Sequence, residues 1–112
     1  MTIENRIIEV PFSEAKPLIQ RSLLGYMRCW NSIYIGSTVD PIRRWPEHAG
    51  KGMAKMVLLY KAWSANLAIS MERELIDWAR ATNFRIEHLN MSDGGEGIPH
   101  HQRKHYIYIL VG

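Results

Sequence analysis

The stretch "SIYIGSTVDPIRRWPEH" (32–48) decides the fold, because it joins an apolar, aromatic run to a helix start across Gly36. β-Branched and aromatic residues in "SIYIGS" favour an extended strand. Asp40 is placed to cap a helix whose first residue is Pro41, where the missing proline N–H costs nothing. Pro46 complicates that helix. An interior proline deletes one hydrogen bond and pushes Trp45 away from helical angles, so a kink, or a regular helix beginning only afterwards, is expected.

Working outward, "RIIEV" (6–10) reads as a short strand bounded by Pro11. "SEAKPLIQRSLL" (13–24) has helical apolar spacing at Ala15, Leu18, Ile19 and Leu23, with Ser13 as its cap and Pro17 in its first turn. "GYMRCWNSIYIGS" (25–37) reads as a hairpin turning near Trp30, Asn31 and Ser32. Downstream, "KMVLLYKAWS" (55–64) has the make-up of a buried strand, and "NLAISMERELIDWARAT" (66–82) that of an amphipathic helix. "MSDGGEGIP" (91–99) is a glycine-rich loop, and "HYIYILV" (105–111) a closing strand. Strands and helices mixed at this spacing predict one α+β domain over 1–112, a small central antiparallel sheet of about three to five strands flanked by helices.

Composition narrows the class. Hydrophobic residues make up 46% and charged residues 22% of 112 residues, values of an ordinary globular domain that exclude a disordered chain. No apolar run reaches the roughly 18 residues of a membrane helix, and "MTIENRIIEV" is not a secretion signal, so an intracellular, cytoplasmic protein without membrane partners is expected. A single cysteine, Cys29, rules out an internal disulfide framework. The net charge of +3 suits a polyanionic partner, with basic residues gathered at Arg43, Arg44, Lys51, Lys55 and Lys61 and again in "HHQRKH" (100–105).

Four pieces then recur in a telling order: "YIG" (34–36), Arg44, His48 four residues on, and Glu74 in "MERELIDW" (71–78). Together with Asn90 ahead of the glycine-rich stretch, they resemble the GIY-YIG nuclease family over roughly residues 24–97. The resemblance implies a metal-dependent endonuclease that hydrolyses DNA phosphodiester bonds, with Tyr34 activating water and Glu74 holding the one Mg²⁺ (or Mn²⁺). A lone carboxylate suits Mg²⁺, which keeps several waters and shares its ligands with phosphate. Arg44 can bind phosphate oxygens in pairs, and His48 can orient the tyrosine, take its proton or touch phosphate. Tyr34 starts from a pKa near 10, so a role as base requires positive charge beside it.

The leading half of the motif has two candidates. Gly25-Tyr26-Met27 precedes Tyr34 by a short hairpin, and Tyr106-Ile107-Tyr108 in the last strand would serve if that strand lay beside "YIG" in a partly permuted sheet; Tyr26 is the preferred choice. Gly36, Ser37, Asn90, Arg43 and Lys51 are the candidate substrate contacts, with Tyr108 and His105 held in reserve. A zinc site at His100, His101 and His105 is set aside, because the family places its metal on the glutamate. The partner is DNA, single- or double-stranded, with a homodimer as one source of specificity. The competing function is a nuclease-like binding module without catalysis.

Overall fold

The apolar run 105–111 becomes the middle of the molecule. The computed structural model describes residues 3–49, 52–82, 85–90 and 104–112, and within them all side chains but those of residues 47 and 48. Its elements run β1 (Ile3–Asn5), α1 (Phe12–Cys29), β2 (Ser32–Thr38), α2 (Pro41–Ala49), β3 (Lys55–Ala62), α3 (Ala65–Thr82), β4 (Glu87–His88) and β5 (His105–Val111). All five strands share one sheet in the order β1-β3-β5-β2-β4. The α+β class is as expected, but the sheet is mixed rather than antiparallel. β5 is antiparallel to β3 and β2, whereas the outer pairs β1–β3 and β2–β4 are parallel. Parallel neighbours need a long crossover, and the intervening helices supply it.

Side-chain alternation divides the sheet into two unequal faces. Ile33, Ile35, Val57, Ile107 and Ile109 form the larger one, buried against α1 and α3. Met56, Leu58, Tyr108 and Leu110 form the smaller one beneath Trp45 of α2. Between Leu58 and Tyr60 the pairing with β5 slips by one residue, a bulge at Leu59. Beyond it Tyr60 and Ala62 join the larger core, and Lys61 lies over the ring of Tyr106 on the smaller face.

The expected hairpin over 25–37 does not form. α1 continues through that segment to Cys29, because Met27 extends the buried stripe Ala15, Ile19 and Leu23 at four-residue spacing. Burial of that stripe outweighs the low helix propensity of Gly25, which lies on the exposed side. The first strand also sits earlier than expected, at Ile3–Asn5, while Arg6 and Ile8 donate backbone N–H groups to the carbonyls of Leu58 and Leu59. Pro11, not Ser13, occupies the α1 cap, without a side-chain cap bond.

Both interior prolines are accommodated without breaking their helices. Pro17 falls in the second turn of α1, and Pro46 lies inside α2, which runs unbroken from Asp40 and Pro41. Each proline and the residue four before it, Ser13 or Ile42, is exposed, so the carbonyl left without its helical donor lies on the solvent side. Among the described residues no helix is long and apolar enough to cross a membrane.

The helical conformation of Gly25 has a measurable consequence. A Cβ added there meets nothing within 4 Å. Gly25→Ala is expected to raise unfolding free energy by about 0.5–1 kcal/mol in urea titration, whereas a glycine required by a tight turn would give a loss.

Candidate active site around Tyr34 and Tyr108

Tyr34 and Tyr108 meet because β2 and β5 are antiparallel neighbours. Their register sets Gly36 opposite Tyr108 and Tyr34 opposite Leu110, on the smaller face of the sheet. The two rings stand 6.2 Å apart between centroids, with planes tilted by 32°. Gly36 makes the approach possible. A Cβ there would lie 2.6 Å from the Tyr108 hydroxyl and 2.8 Å from Cε1 of Tyr34, closer than any side chain tolerates.

Arg44 comes to this pair from α2. Asp40 caps that helix by accepting the backbone N–H of Arg43 at 3.2 Å, as its sequence position predicts. Trp45 anchors the helix on the sheet, and Arg44 reaches the tyrosines from one side of that anchor, donating hydrogen bonds to both phenol oxygens. Arg43 points outward and is exposed. His48 follows Arg44 by one turn of α2; its side chain, like Lys51, lies outside the described residues.

The carboxylate whose charge reaches both phenols is that of Glu72, while the expected acid, Glu74, lies elsewhere on α3. Glu72 is only 5% exposed, and its Oε1 lies 3.4 Å from the Ser37 hydroxyl, a long hydrogen bond. Its charge raises the pKa of both Tyr34 and Tyr108. Glu74 stands about 200° further around α3, where it is exposed and pairs with Lys16 of α1 at 3.6 Å. The sequence carries a signal for Glu72. It interrupts the buried line Ala68, Ile76 and Ala79 at helical spacing, and a carboxylate on an inward face needs a reason to be there.

Tyr26 is likewise displaced from the site. Its hydroxyl donates to Glu4 on β1, and Glu4 is held below the ordinary carboxylate range first by that bond and then by Lys55 and Arg6. β1 is separated from β2 by two strands. The strand that pairs with "YIG" is the last one, β5. His105 opens that strand fully buried and in register with Ala62, and alternation puts it on the face opposite Tyr106 and Tyr108.

Asn90 is brought in, but to hold β2 rather than to face a substrate. Its Oδ1 accepts the Ile35 N–H at 2.9 Å and its Nδ2 donates to the Ile35 carbonyl at 2.8 Å. A primary amide presents one donor and one acceptor side by side, so it prolongs the two-residue β4 along the edge of β2. Arg80 fixes it in turn by donating to the Asn90 carbonyl.

Electrostatically the phenols are held protonated. Burial is the largest cause for both; the hydrogen bonds and charge of Arg44 act the other way without overcoming it. Tyr108 is shifted further, well above the ordinary tyrosine value. What gathers on this face is a guanidinium and two phenols, with no side chain at Gly36 to fill the space between the rings; the Ser37 hydroxyl and the buried Glu72 carboxylate lie on the α3 side of the sheet, near enough for that charge to act on both phenols. No family model matches the chain, and neither a curated protein nor a solved structure matches it.

Two outcomes follow from this geometry. Asn90→Asp sets a carboxylate oxygen against the Ile35 carbonyl and removes a donor; a loss of about 1–3 kcal/mol in denaturant unfolding is expected. The second concerns alkali. Above pH 10 the unfolded chain releases phenol protons that folded Tyr34 and Tyr108 keep, so the stability they contribute is intact below that pH and is lost as pH rises through their higher folded values. Urea midpoints should therefore fall above pH 10, and Tyr108→Phe should flatten the fall.

Proposed function

We propose that this chain is a metal-dependent endonuclease of the GIY-YIG type that hydrolyses DNA phosphodiester bonds, with β5 and β2 supplying the two tyrosine strands in reversed chain order. The observation that carries the reading is the convergence of Tyr34, Tyr108 and Arg44 over Gly36, with the buried carboxylate of Glu72 close enough to raise both phenol pKa values. Phosphodiester hydrolysis needs these parts: a group to aim water, a cation for the charge growing on phosphorus, and a carboxylate for a metal.

Arg44 is the phosphate ligand in this reading. Its planar fork matches two phosphate oxygens and stabilises them most when they carry the charge of the transition state. Tyr34 holds the attacking water. It is protonated at neutral pH, so it turns base only as positive charge beside it offsets burial and the field of Glu72. Tyr108 stays protonated and donates to Tyr34, fixing its oxygen. His48, one turn beyond Arg44, is the group assigned to pass the proton on.

The donor set suits a hard cation. Glu72 and the Ser37 hydroxyl offer oxygen ligands only, and the described residues hold no group of three or more His, Cys, Asp or Glu side chains able to hold a metal. That composition fits Mg²⁺ or Mn²⁺ sharing its coordination with phosphate rather than an all-protein cage. When bound, such an ion supplies Lewis-acid polarisation of a phosphate oxygen.

Incubation of labelled DNA with the purified protein, with and without Mg²⁺, tests the assignment. Wild type should cleave only with the metal. Glu72→Ala and Arg44→Ala should each lower the rate by about a hundredfold or more. Glu74→Ala and Tyr26→Phe should cleave as wild type does. Metal-dependent cleavage that survives Glu72→Ala, or its absence in wild type, overturns the reading.

A further inference from the structure

Two lysine–aromatic pairs stand beside the candidate site with no part in its chemistry. Lys61 lies over the Tyr106 ring at 5.8 Å from its centroid, and Lys104 over the Trp63 ring at 5.0 Å. Such pairs often do no more than dress a surface. Trp63, however, remains 68% exposed with Lys104 over it, a large cost in apolar surface left in water.

Their placement is set by the sheet. Tyr106 precedes Tyr108 by two residues on the same strand and face, roughly 7 Å away. It pairs in register with Thr38 of β2 on one side and Lys61 of β3 on the other. Lys61 is on this face only because of the bulge at Leu59, and Trp63 follows it just past the strand end. Basic and aromatic groups thus run from the tyrosine pair across β5 and β3.

Tyr106 and Lys61 also border a groove of about 560 Å³ between the start of α2 and β1, with Leu58 and the exposed Ile42 among its apolar walls. Lys61 and Trp63 border a second groove on the other side, of about 330 Å³. Among the described residues Asp40 and Glu9 are the acids along the two, and the Asp40 carboxylate is engaged in capping α2. Flat rings, apolar slots and flanking ammonium groups complement a ligand with flat apolar faces and a repeated negative charge.

Resting on the nuclease reading above, we propose that the Lys61–Tyr106 and Lys104–Trp63 pairs form a stacking platform for unpaired bases next to the cleaved bond, so that the substrate is single-stranded DNA. Base faces are free to stack only in an unpaired strand; a duplex offers phosphates and base edges. Stacking of this kind tolerates any base, so cleavage has little sequence preference. The lysines meet the phosphates between the stacked bases and make binding weaken with salt.

Binding separates this platform from catalysis. The probe is a fluorescently labelled oligothymidylate, or the same oligonucleotide annealed into a duplex, titrated without metal into the cleavage-deficient Glu72→Gln protein and followed by anisotropy. The single strand should bind at least about tenfold more tightly than the duplex. Trp63→Ala should weaken single-strand binding about tenfold and leave duplex binding unchanged, and Trp63→Phe should restore most of the loss. Lys61→Gln with Lys104→Gln should make the salt dependence shallower.

Equal affinity for the two forms, or single-strand binding indifferent to Trp63→Ala, overturns the proposal. Trp63 is exposed, so its loss does not endanger folding. Trp63-dependent single-strand binding without any metal-dependent cleavage by wild type would leave the platform standing and remove the nuclease reading. Metal-dependent cleavage with no role for Trp63 would do the reverse.

Discussion

The contact between Tyr108 and the bare backbone of Gly36 is the constraint on which the site depends. With a side chain at Gly36, the Tyr108 hydroxyl and the Tyr34 ring would both have to move, and Arg44 would lose the two oxygens that it bonds. The contact also fixes register. Because side chains alternate, a slip of one residue between β2 and β5 would send Tyr108 to the other face and put a β-branched side chain over Gly36. Few positions in a sheet are so strictly determined by one missing methyl group.

The edge of β2 is secured with comparable economy. β4 contributes two residues, after which the side chain of Asn90 continues the pairing against Ile35, and Arg80 of α3 holds the Asn90 carbonyl. The helix that carries Glu72 and the strand that carries Tyr34 are thereby linked outside their packed core. In the proposed reaction this linkage sets the carboxylate relative to the phenols, and the long bond from Ser37 to Glu72 ties the same two elements.

Much of this was legible in the sequence, and the gaps have physical causes. β3, α3, β5 and the Asp40 cap follow from apolar period and capping chemistry, which are local. The segment 25–29 is helical for a non-local reason, the burial of Met27 against the sheet, while its aromatic neighbours argue locally for the arm of a hairpin. Glu74, the expected metal ligand, stands at the surface beside Lys16, whereas Glu72, at helical spacing among alanines, is the inward acid. Which of Tyr26 and Tyr108 lies beside Tyr34 was beyond sequence reasoning, because it depends on which strands pair, and strand pairing across the length of the chain leaves no local trace.

That pairing governs how the molecule assembles. β5 bonds to both β3 and β2, so the strand written last in the sequence is the one that joins the other four. Until it docks, β1–β3 and β2–β4 are two separate parallel pairs, each short and closed by a long crossover, and such pairs have little independent stability. Folding of the sheet is therefore concerted and limited by closure of distant contacts. The two tyrosines come together in the same step that completes the core, so partly folded chains would carry neither a stable sheet nor a formed site.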